Sequence, residues 1–75
     1  MEKYRNLGGN SAVAAYELAK DSVKIGFTSH AVYLYTNQSA GSGNISKMKT
    51  LALAGKGLST FIDANVKNLF SRKVR

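Results

Sequence analysis

The sequence predicts an α+β fold: a three-stranded antiparallel sheet followed by two helices packed on one of its faces, in the order β-β-β-α-α. Three observations carry this. Apolar residues alternate with period two in the first half of the chain, the apolar period lengthens to that of a helix after Gly43, and glycine-rich stretches punctuate the sequence. At 75 residues the chain accommodates a single domain over 1–75. Its expected core runs from about residue 11 to residue 70, between a flexible N-terminus and a basic C-terminal tail.

The stretch Leu7-Gly8-Gly9-Asn10-Ser11 reads as a loop. A first strand follows over 13–19, although its alanines suit a helix equally, and Lys20-Asp21-Ser22 suits a turn. Ser22-Val23-Lys24-Ile25-Gly26-Phe27-Thr28 is the clearest strand, with Val23, Ile25 and Phe27 on one face. Ala31-Val32-Tyr33-Leu34-Tyr35-Thr36 is β-branched and aromatic, and Ser29-His30 between these runs suits a two-residue hairpin loop. Beyond the loop Ala40-Gly41-Ser42-Gly43-Asn44, a helical stripe of Ile45, Met48, Leu51 and Ala52 begins under a Ser42 or Asn44 cap and ends at Gly55-Lys56-Gly57. A second helix is expected over 60–71. Ile62, Val66, Leu69 and Phe70 form its buried stripe, Thr60 and Asp63 resemble a capping box, and Arg72-Lys73-Val74-Arg75 suits its negative end.

Phe27, the central Tyr33-Leu34-Tyr35, the glycine-containing link into a helix and the later Thr60-Phe61-Ile62-Asp63-Ala64-Asn65-Val66 together resemble the KTSC domain. This small bacterial module also occurs at the C-terminus of some lysyl-tRNA synthetases. The similarity spans about residues 11 to 70 and implies an RNA-binding role. Many members place a Val-Pro turn after the second tyrosine, whereas Thr36-Asn37-Gln38-Ser39-Ala40 has no proline.

The hairpin register decides where the tyrosines point. A two-residue loop opposes Gly26 to Tyr33, Ile25 to Leu34 and Lys24 to Tyr35, which sets Tyr33, Tyr35 and Lys24 on the open face as a stacking platform. A three-residue loop with a bulge instead turns both tyrosines into the core and exposes Leu34. Apolar Val32 and Leu34 favour the first register.

Charge gives the direction of binding. Eleven Lys and Arg against four Asp and Glu leave +7, which favours polyanions, though surplus lysine also serves solubility. Single-stranded RNA or DNA is the expected partner, with bases on Tyr33 and Tyr35 and phosphates on Lys24, Lys47, Lys49, Lys56, Arg72 and Lys73. The alternative is a protein-interaction module using a strand edge or helix face. Without cysteine, and with His30 as the only histidine, no disulfide, thiolate site or histidine-based metal cluster can form, and no cofactor is expected. The segment around Lys56 fails as a phosphate loop, because Thr50 and Gly57 occupy positions that need glycine and a hydroxyl. No nucleophile elbow supports a triad through His30 and Asp21, so the chain is not expected to be an enzyme. No apolar run reaches the ~18 residues of a membrane span, and the start lacks a secretory signal's apolar segment. A cytoplasmic protein is the expectation.

Overall fold

Short-range alternation and glycine punctuation place the central elements where the sequence predicts them. The computed structural model describes residues 1–9 and 11–75, so Asn10 of the predicted first loop lies outside the described residues. Strands β1 (Glu2–Lys3), β2 (Val13–Leu18), β3 (Ser22–Phe27) and β4 (Val32–Thr36) are followed by helices α1 (Asn37–Ala40), α2 (Ser42–Ala54) and α3 (Leu58–Phe61). A π-helical turn, Ile62–Val66, continues α3, and β5 (Arg72–Lys73) ends the series. The fold is thus α+β with an antiparallel sheet. Among the described residues that sheet has five strands in the order β1-β2-β3-β4-β5, two more than expected.

The additional strands are both termini. Neither has an alternating pattern of its own, because each is only two residues long and gains its hydrogen bonds from a strand already formed. β1 lies against β2 with Glu2 opposite Tyr16, and β5 lies against β4 with Tyr33 opposite Lys73 and Leu34 opposite Arg72. The Ser71 N–H also donates to the Leu34 carbonyl. The N-terminus, expected to be flexible, and the basic tail are therefore, in part, sheet edge.

The hairpin register differs from the favoured expectation by one residue. Ile25 opposes Tyr33, Val23 opposes Tyr35 and Lys24 opposes Leu34. The Phe27 N–H donates to the Ala31 carbonyl at 2.8 Å, and the His30 N–H donates to the Phe27 carbonyl at 2.9 Å, so the loop has three residues, Thr28, Ser29 and His30. His30 closes it in the left-handed region at φ 72°, a conformation histidine enters more readily than most side chains. The packing reason is aromatic volume. This register puts the ring of Tyr35, only 1% exposed, into a small core that Val32 and Leu34 alone would fill poorly. A bulge at Ala14 makes a parallel adjustment in β2, where Val13 opposes Phe27 but Ala15 opposes Gly26, bringing Val13 and Tyr16 to the same face.

The core lies between this face and the helices. Ile45, Met48 and Ala52 project from α2 onto Val23, Ile25 and Tyr35, with Leu58, Ile62 and Val66 completing the cover. Thr36 caps α1 reciprocally: its hydroxyl accepts from the Ser39 N–H at 3.0 Å, and Ser39 Oγ accepts from the Thr36 N–H at 2.9 Å. The region 36–40, expected to be a loop, is therefore one capped helical turn. Gly41, rather than Ser42 or Asn44, stands at the cap of α2 and contributes no side-chain bond. Gly55 ends α2 at φ 81°, and a Cβ there would meet Arg5 Cβ at 2.9 Å, so both conformation and space require glycine.

The second helix departs most from expectation. It starts at Leu58 under Gly57 instead of at Thr60, widens into the π turn and ends near Val66. Leu69 is consequently exposed, and Phe70 packs from an extended segment. No helix is long and apolar enough to cross a membrane among the described residues.

Candidate functional site

Three aromatic rings at the margin of the core are only partly buried. Phe27 comes from the end of β3, Tyr33 from β4 and Phe70 from the segment entering β5. Phe27 and Tyr33 meet edge to face with centroids 5.6 Å apart, and Tyr33 and Phe70 are tilted by 37° at 4.7 Å. These separations are those of favourable aromatic pairs. The rings form the floor of an open cleft of about 350 Å³. One wall is the hairpin tip, with Thr28, Ser29 and Ala31, and the other is the π turn and its exit, with Asp63, Lys67 and Asn68.

The π turn explains that second wall. Ile62 and Val66, four residues apart, face the core, while Asp63, Lys67 and Asn68 line the cleft. At the bottom, burial pushes the Tyr35 hydroxyl up to about 12, with Tyr33 and Asp63 adding to the effect. Tyr35 therefore stays neutral at physiological pH. Because paired residues share a sheet face, Lys73 lies on the Tyr33 side and Arg72 on the opposite one. Cations thus rim the aromatic floor at Lys67 and along the β5 edge.

The predicted site residues do not converge as a group. Tyr33 lines the cleft, with Lys73 opposite it in the sheet though not in the lining, and Tyr35 forms its buried bottom rather than an exposed platform. The open-face tyrosine pair is corrected by the three-residue hairpin loop, which reverses the facing of both residues. Lys24 is on the far face, 3.7 Å from Glu17, where its charge is partly compensated. Lys47 is exposed on α2, and Lys49 Nζ donates to the Lys20 carbonyl at 2.8 Å. Lys56 belongs to a separate, smaller cleft of about 220 Å³ with Tyr4, Asn6 and Ser11. Arg72 is on the far face of the edge strand.

Phe27, Phe70, Asp63, Lys67 and Asn68 escaped the sequence reading as site residues. Apolar periodicity assigns Phe27 and Phe70 to the core, and only the extra loop residue and the early helix end leave them partly buried. A third cleft, of about 430 Å³, contains Glu2 and Glu17, two of the four acidic residues, and is a poor place for a polyanion. No group of three or more His, Cys, Asp or Glu side chains that could hold a metal ion occurs among the described residues. Comparison of the chain with protein-family models, curated proteins and solved structures finds no match.

Proposed function

We propose that this chain is a KTSC-like module that binds single-stranded RNA or DNA, acting in the cytoplasm as a binding protein rather than an enzyme. The observation that carries the reading is the partly buried aromatic lining of Phe27, Tyr33 and Phe70, with Lys67 in the same cleft and Lys73 opposite Tyr33 in the sheet. An unpaired base stacks on such a floor whatever its sequence, and neighbouring cations take the phosphates. A duplex keeps its bases stacked and cannot enter. Arg75, two residues beyond Lys73, extends the cationic edge.

Fluorescence anisotropy with a labelled single strand and its duplex, over a range of salt, tests this. Phe70→Ala should cost about 1 to 3 kcal/mol of binding without altering the salt slope. Lys67→Ala and Lys73→Ala should each flatten the log K against log salt slope by about 0.7. Circular dichroism must show each variant folded. A wild-type protein that binds no single strand even at low salt ends the reading.

A second reading, a protein partner on the helix-free face of the sheet, is favoured by the half-exposed Val32 and Leu34 there. An apolar interface of that kind keeps its affinity as salt rises, whereas phosphate binding loses it.

A further inference from the structure

Asp63 is the anomaly of the cleft. It is one of four acidic side chains in a chain of charge +7, yet it lines the wall opposite the hairpin, beside Lys67. The one ion pair among the described residues joins Lys24 and Glu17, so the Asp63 carboxylate has no cationic partner within 4.0 Å. An unpaired carboxylate repels phosphate and lowers affinity for a nucleic-acid backbone. It becomes favourable if it meets a group that only donates hydrogen bonds, because an ionised carboxylate only accepts them.

The edges of bases differ sharply in this respect. Guanine presents N1–H and the N2 amino group side by side, two donors that match the two carboxylate oxygens. Adenine and cytosine each offer one amino group beside an acceptor nitrogen. Thymine and uracil offer a single N–H between two carbonyl oxygens, which a carboxylate repels. The aromatic floor adds to the distinction, since a purine covers more of Tyr33 and Phe70 than a pyrimidine does.

We propose that the cleft selects guanine, with the base against the open side of the Tyr33–Phe70 pair and Asp63 accepting from N1–H and the N2 amino group. This rests on the proposed binding of single strands and adds a preference to it. The far wall, formed by Thr28 and Ser29, bounds the cleft so that one base occupies it at a time.

The test uses the full chain and four labelled thymidine strands that differ only at one central base: guanine, hypoxanthine, adenine or thymine. Hypoxanthine keeps N1–H and lacks the amino group. At low salt the guanine strand should bind about tenfold more tightly than the adenine and thymine strands, the size expected of a bidentate base contact. Hypoxanthine should lose most of that preference. Asp63→Asn should remove it, bringing the guanine strand level with the adenine strand. Asp63 is exposed, so this substitution leaves the core intact. Equal binding of all four strands, or a guanine preference that survives Asp63→Asn, overturns the guanine assignment and leaves single-strand binding standing. Failure to bind any of the four overturns both.

Discussion

The two faces of the sheet share one backbone and differ in almost every side chain. The helix-covered face carries Tyr16, Val23, Ile25, Phe27, Tyr33 and Tyr35, whereas the other carries Ala15, Glu17, Lys24, Gly26, Val32 and Leu34. Aromatic mass has gone where helices can cover it, because a domain this small has little other apolar area to bury. The cover is incomplete at one end. There Phe27, Tyr33 and Phe70 stay only partly buried, and the cleft they floor is the unfinished margin of the core. The flat face, where an exposed tyrosine pair is expected, holds Val32, Leu34 and a compensated Lys24–Glu17 pair instead.

Substitutions on the two faces should therefore have very different effects. Tyr35→Ala should cost about 3 to 5 kcal/mol, as for other large aromatic truncations, and leave the chain mostly unfolded. Chemical denaturation measures this, and a variant as stable as the wild type would mean that Tyr35 is not in the core.

Alkali should act next most strongly, through the same residue. An unfolded tyrosine loses its proton near 10.0, whereas folded Tyr35 holds it until about 12. Between those values the folded state binds more protons than the unfolded state, so stability falls as pH rises; below 10 the contribution is complete. Measured against Tyr35→Phe, which cannot ionise there, the wild type should lose stability across this window. A constant difference between the two proteins from pH 9 to 12 would contradict the burial of the hydroxyl.

The hairpin loop sharpens the comparison, since it decides which face the tyrosines occupy. His30→Gly should stabilise the protein by about 1 kcal/mol, because glycine adopts the left-handed conformation without a Cβ clash. A two-residue loop needs a positive φ at its first central residue and would gain from Ser29→Gly as well, a substitution that the three-residue loop makes neutral or harmful. A thermal melt distinguishes these outcomes. The smallest effect belongs to the open face, where Lys24→Ala should change stability by less than about 0.5 kcal/mol and leave the salt slope of single-strand binding unaltered. A marked change in that slope would return the binding surface to the open face.

Much of the fold was legible because its signals are local. Val23, Ile25 and Phe27 alternate within a few residues, Ile45, Met48 and Ala52 recur at helical spacing, and Gly55 stops a helix by its own backbone freedom. The candidate site was legible only in fragments. Tyr33 and Lys73 were identified, but Phe27 and Phe70 carried the same apolar signal as any core residue. Asp63 reads locally as the partner of Thr60 in a capping box, since nothing near it in sequence indicates aromatic rings reached through another strand.

By itself, then, the amino-acid sequence determined the α+β class, the extents of the three central strands, the long helix and the cationic balance. Each follows from residue periodicity, glycine geometry or a count of charges. Tertiary structure decided the hairpin register, the two edge strands and the cleft. A register depends on whether the loop has two or three residues, a difference small in local energy that the burial of Tyr35 resolves. The edge strands exist only because β2 and β4 offer free backbone groups to segments with no strand signal of their own. The cleft depends on both, since residues from β3, β4, the π turn and the entry to β5 become neighbours only after the sheet has closed in that register.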